Sequence, residues 1–282
     1  MGEGIKIRRA LPQHKRRMVG AWCFLDHFGP LAIGNGHGIR VGPHPHIGLQ
    51  TVTWLIEGEV FHRDSLGYQQ LIRPDQLNIM TAGRGIVHSE ETSSEHSDRV
   101  HGLQLWVALP DTDRHTEPAF AHHSTLPRIE RDGMDITLLV GKGQGEQSPA
   151  RTFTPIVGYD IALTDSGTRA FELHPLYEHA VLLTDGMITI DSEIMTPSTL
   201  YYLGIGREVL NISNESPARF AIIGGVPFGE QIILWWNLVA RTTEEISQAR
   251  DNWEAHRYFG EVEGYDGPRL VAPALRTSLK AR

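Results

Sequence analysis

One cysteine, Cys23, is present among 282 residues. No intrachain disulfide can form, and such sparing use suits a reducing cytoplasm. A lone cysteine of this kind reads as a small buried apolar side chain rather than a nucleophile. Long hydrophobic runs are also missing. The opening stretch MGEGIKIRRALPQHKRRMVG carries charge but no apolar core, and IILWWNLVA near the C-terminus is about half of the roughly 20 residues a spanning helix needs. Neither a secretion signal nor a membrane anchor is expected, and the reading is a soluble, cytoplasmic monomer. Basic residues are in deficit, with 26 Lys and Arg against 34 Asp and Glu and a net charge of −8. That balance argues against direct nucleic-acid binding.

Apolar β-formers are plentiful. Hydrophobic residues make up 40% of the chain, enough for one large or two smaller cores. Short runs rich in Val, Ile, Leu, Thr and Trp alternate with Gly, Pro, Asp and Asn. They predict strands over 49–57, 59–64, 77–80, 86–90, 103–109 and 136–140, then a second series from 157 to 223. The polar, proline-bearing stretch 109–133 reads as a linker. The predicted domains are therefore 1–135 and 136–282, each a sandwich or barrel. TWLIEGEVFHRD and AVLLTDGMITID share a strand–turn–strand theme that suggests one plan used twice. Near the end, Thr242 with Glu245 three residues on has capping-box spacing, and Ile246, Ala249 and Trp253 fall on one helical face.

The chemistry-bearing residues are histidines. Fifteen of them placed at random give about one His-x-His pair, so the pair in GPHPHIGLQTVTW carries no weight by count alone. Spacing gives it more. In a strand, residues i and i+2 point to one face, so His44 and His46 can converge on one ion. Pro43 and Pro45 cannot donate to a ladder, which predicts a strand start or an edge. In TAGRGIVHSEE, His88 and Glu90 repeat the spacing after a glycine-rich turn. His115 and Glu117 do so as well, but in a polar segment with no strand context. Three imidazoles and a carboxylate suit Fe(II), Mn(II), Ni(II), Co(II) or Cu(II) and leave coordination positions open. The run from His44 through Gln50, Val52 and Trp54 is apolar on both parities. Either both faces are covered, or a bulge shifts the register.

The motifs HPHIGLQTVTWLIEG, HRDSLG, MTAGRGIVHSEE and HGLQLWVALP, in that order, with TEEISQA later, resemble the pirin family of the cupin superfamily. The resemblance implies an all-β bicupin: two antiparallel jelly-roll barrels with a C-terminal helix. It implies a metal in the N-terminal barrel only, on His44, His46, His88 and Glu90, with Fe(II) foremost and Mn, Ni, Co, Cu or Zn as alternatives. The second barrel offers His174 and His179 but no matching ligand set. Gln50 stands where the general cupin motif has a ligating Glu, so Glu90 has to supply the carboxylate. The implied activity is a dioxygenase similar to quercetin 2,3-dioxygenase. It uses O2 to open the ring of a polyphenol substrate, with Glu90 as the base that takes the 3-hydroxyl proton. Trp54, His62, Gln104 and Trp106 are the candidate pocket residues. The rival reading is a metal-containing regulatory protein that binds a transcription factor or metabolic enzyme.

Overall fold

The computed structural model describes residues 7–33, 38–92, 96–275 and 279–281. Its strands are β1 (Ile7–Leu11), β2 (Trp22–Ala32), β3 (Arg40–His46), β4 (Leu49–Glu57), β5 (Val60–Asp64), β6 (Gln69–Ile72), β7 (Leu77–Thr81), β8 (Ile86–Glu91), β9 (Arg99–Ala108) and β10 (Ala119–His123). They continue with β11 (Arg128–Arg131), β12 (Met134–Gly143), β13 (Glu146–Gln147), β14 (Ile156–Leu163), β15 (Gly167–Glu172), β16 (Glu178–Asp185), β17 (Ile188–Ile190) and β18 (Glu193–Met195). The last are β19 (Leu200–Gly204), β20 (Val209–Asn214), β21 (Ala218–Gly225), β22 (Ile233–Trp235) and β23 (Leu238–Ala240), followed by the helix α1 (Thr243–Glu254). No helix among the described residues is long and apolar enough to cross a membrane.

Two compact units form, and neither is a continuous piece of chain. The first holds the described residues of Met1–Ile7, Phe28–Ser124 and Gly229–Arg282; the second holds Arg8–His27 and Thr125–Phe228. This differs from a division at residue 135, and the anchors explain why. The apolar face of α1, Ile246, Ala249 and Trp253, packs with Val87 of β8 and with Ile233, Leu238 and Ala240, so the helix belongs to the first unit. At the other end of the chain, Trp22 Nε1 donates to the Gly224 carbonyl at 3.1 Å, and the Gly20 N–H donates to Glu178 at 2.7 Å. The helix begins at its expected cap: the Thr242 side chain accepts from the Glu245 N–H, and the Glu245 side chain returns the bond, so two otherwise orphaned donors are satisfied.

In the first unit, one sheet contains the run β9-β4-β7-β10 and the other has the order β3-β8-β5-β6. In the second unit, β21-β16-β19 is part of one sheet and β15-β20-β17-β18 forms the other. Strands β3 to β9 and β15 to β21 thus follow one plan in one order, with every adjacent pair antiparallel where its register is given. Segment 109–133 is not a bare linker. It supplies β10, paired along β7 from Ala119↔Thr81 to His123↔Leu77, and β11, paired to β12. β3 lies at a sheet edge, where its prolines leave no ladder bond unmade.

Candidate metal centre

Strand register decides which side chains meet inside the first barrel. Directly opposed residues of an antiparallel pair share a face. His44 opposes His88, which in turn opposes Asp64, and Glu90 opposes His62. These side chains form a polar patch on one face of the β3-β8-β5-β6 sheet. On the other sheet, Thr51 opposes Trp106, Thr53 opposes Gln104, and Met80 opposes Phe120. Contacts across the barrel show that this face looks at the histidines. Trp106 meets the His46 ring edge-on at 5.1 Å, and Phe120 stacks on His62 at 4.4 Å. Phe28, Val41, Leu55, Val60, Ile72 and Val100 form an apolar cluster in the same unit.

Ligand atoms of His44, His46 and His88 all lie within 4.8 Å of one another, and each residue is at most 5% exposed. Their outer nitrogens are committed. His44 Nδ1 donates to the Gly42 carbonyl at 2.9 Å, and His46 Nδ1 donates to the Asn237 carbonyl at 2.7 Å. His88 Nδ1 faces His62 Nδ1 at 3.4 Å, and His62 Nε2 is 2.9 Å from the Asp64 carboxylate. Asp64 is itself anchored by the N–H groups of Leu66 and Tyr68. A carboxylate acceptor puts the His62 proton on Nε2, which leaves His62 Nδ1 to accept from His88. Each of the three ring systems then turns an Nε2 lone pair inward, the arrangement by which outer partners orient metal-binding imidazoles.

The inward atoms fit a cation. His46 Nε2 and His88 Nε2 are 3.1 Å apart. With both protons fixed on Nδ1, these are two facing lone pairs that cannot bond each other, and a positive ion between them removes the repulsion. Burial first, and neighbouring imidazoles second, hold His46 and His88 neutral with pKa values well below the ordinary histidine value. Burial likewise lowers His44 to about 4. Neutral imidazole is the ligating form.

The remaining candidates divide. Glu90 is on the same strand and face as His88 but outside the 4.8 Å cluster. Burial raises its pKa, with His62 pulling the other way. Gln104 accepts a 3.0 Å bond from the Thr53 hydroxyl on the inward face, and Trp106 and His62 are beside the cluster. Trp54 is a correction. It opposes Leu103 and alternates with Thr53, so it lies on the reverse face of that sheet. Gln50 is on that reverse face too, where its amide donates to Thr81. The parity reading from His44 fails because Gly48, at φ +67°, breaks the strand between His46 and Leu49. Both parities of this region are apolar because both faces are covered; α1 and the segments around it cover the outward Val87 side. Phe120 escaped sequence reasoning because it sits in a polar, proline-flanked stretch. Its only signal was the short alternation Phe120, His122. His115 and Glu117 lie elsewhere: Glu117 pairs with Arg84, and His115 lines a groove beside α1.

Comparisons with known proteins agree with this architecture. The family model described as pirin matches residues 4–107, and that of the pirin C-terminal cupin domain matches 158–259. A Pseudomonas aeruginosa protein provisionally named quercetin 2,3-dioxygenase is 45% identical over 100% of this chain and 89% of its own length. A pirin-like protein of Caulobacter vibrioides is 37% identical over 89% of each chain. The crystal structure of a quercetin 2,3-dioxygenase from Acinetobacter baumannii superposes with a TM-score of 0.97 at 44% identity, covering 100% of this chain and 94% of that one. Its two-barrel all-β fold, its sequence and its buried histidine cluster make this chain a member of the pirin family, a bicupin.

Proposed function

We propose that the protein is a metal-dependent dioxygenase of the quercetin 2,3-dioxygenase type, opening a flavonol ring with O2. The observation that carries this reading is the convergence of the buried His44, His46 and His88, with Glu90 two residues beyond His88 on the same strand face. The names borne by the relatives at 44–45% identity support it. In this reading His44, His46, His88 and Glu90 hold one divalent transition metal, with Fe(II) suited to the mixed nitrogen and oxygen donors. When bound, the ion supplies Lewis-acid polarisation and an open position for substrate or O2.

The chain's own residues do the rest. Glu90 accepts the 3-hydroxyl proton, and its raised proton affinity makes it a better base than a solvated carboxylate. His62, tied to Asp64, keeps His88 in its ligating tautomer. Trp106 and Phe120 present ring faces and edges to a planar aromatic substrate. Gln104, held by Thr53, offers an amide to a substrate hydroxyl. The test is direct. Protein loaded separately with Fe, Mn, Ni, Co and Cu is given quercetin under air, and loss of its visible absorbance is followed together with carbon monoxide release. At least one metal form is expected to turn over. Full loading without turnover in every form would leave the regulatory reading in its place.

A further inference from the structure

The second barrel has a cavity of its own, which the dioxygenase reading does not use. It has a volume of about 180 Å³ and opens beside the β15–β16 connection. That connection is the counterpart of the one between β3 and β4, and it carries His174-Pro175. No metal set forms there. The described residues contain one cluster of three convergent ligands, and it is in the first barrel.

What lines the cavity is nonetheless organised. His179 is 1% exposed, and its Nδ1 is buried with no partner at hydrogen-bonding geometry. The opposite edge of that ring, Cδ2 and Nε2, abuts Gly224, where a side chain would collide. Burial first, and the nearby His174, lower its pKa to about 4 against the pull of the Tyr177 carbonyl. A neutral buried imidazole whose ring nitrogen makes no well-formed hydrogen bond is costly to leave so. Tyr159 is 4% exposed, and its hydroxyl occupies the space a side chain at Gly143 would fill. Tyr177 stacks on His174 at 4.3 Å and forms an aromatic wall. At the mouth stand Lys142, which makes no ion pair among the described residues, and Glu172.

The geometry points to a binding site in the second barrel for a single-ring hydroxyaromatic acid. Size sets the ring count: an apolar cavity of about 150 Å³ holds benzene, so this one holds one substituted ring. The hydroxyl meets His179 and Tyr159, the ring lies against Tyr177, and the carboxylate pairs with Lys142. Glu172, which also lines the cavity, limits the ligand to one acid group.

Calorimetric titration with 4-hydroxybenzoate tests this, with benzoate and phenol as probes lacking one group each. One equivalent of 4-hydroxybenzoate is expected to bind, with each control about tenfold weaker. Lys142→Ala, at an exposed position that leaves folding intact, is expected to weaken 4-hydroxybenzoate and benzoate but not phenol. Tyr159→Phe is expected to weaken 4-hydroxybenzoate and phenol but not benzoate. His88→Ala is expected to leave binding unchanged, because no turnover and no metal is involved. The absence of saturable binding would overturn the inference. So would binding indifferent to both second-barrel substitutions, or binding lost in His88→Ala.

Discussion

The two barrels share a strand plan and differ in what fills them. In the first, the β3–β8 ladder pairs His44 with His88; in the second, the corresponding β15–β20 ladder pairs Phe171 with Leu210. Phe171, Leu210 and Ile212 are fully buried in an apolar cluster with Val181, Phe220 and Ile222. Each such side chain contributes roughly 1.5–3 kcal/mol by leaving water. The first barrel gives up part of that stabilisation to bury imidazoles, whose polar groups cost free energy unless matched. Ligand binding can return it, since whatever binds only the folded state stabilises that state. One backbone plan therefore supports a chemical interior or a structural one, and a few ladder positions decide which.

Breaking each interior in turn tests that contrast. The largest effect is expected from His88→Ala, which removes one of the three convergent imidazoles: metal content by mass spectrometry should fall to background while the circular dichroism of the β fold persists. Retained metal would refute the ligand set. Phe171→Ala should do the reverse. It opens a cavity in the second core and should cost about 3–5 kcal/mol in urea unfolding, with metal content per folded molecule unchanged. Asp64→Asn is subtler. It loosens the chain of bonds through His62 to His88, and metal affinity measured by chelator competition should drop about 10–100-fold.

Acid should act on both interiors of the metal-free protein. His44 and His179 are each lowered to about 4, chiefly by burial. Unfolded imidazoles take up protons near pH 6.5 that the folded ones refuse until about 4. Stability is then full above 6.5 and falls as the pH drops towards 4. Urea midpoints at pH 7.5 and 5 should show this fall, and His179→Phe should remove the second barrel's share. The smallest effect is expected from Cys23→Ser. Cys23 is buried and belongs to the second unit, so dioxygenase turnover should be unchanged.

Local signals in the sequence were strong where the physics is local. The capping box at Thr242 marked α1, and the two-residue spacings put His44 with His46 and His88 with Glu90 on common faces. The prolines marked an edge strand. Non-local packing was illegible. Nothing within Arg8–His27 or in α1 says which barrel it joins, because that depends on partners such as Gly224 and Val87 that lie far along the chain. Trp54 was misplaced for a related reason: one left-handed glycine resets strand parity. His62 was legible as a histidine beside the site, but its bond to Asp64 and the ring of Phe120 over it emerge only once β5, β8 and β10 are assembled.

The central claim is that the first barrel's buried cluster performs oxygen chemistry with Glu90 as the base. Carbon monoxide release from quercetin should therefore be measured for wild type and Glu90→Gln, each loaded with Fe(II) to the same measured metal content. The expected result is sustained release by wild type and a loss of at least a hundredfold in the variant, the scale at which a positioned base contributes. Equal release by both proteins, or none by the fully loaded wild type, would contradict it.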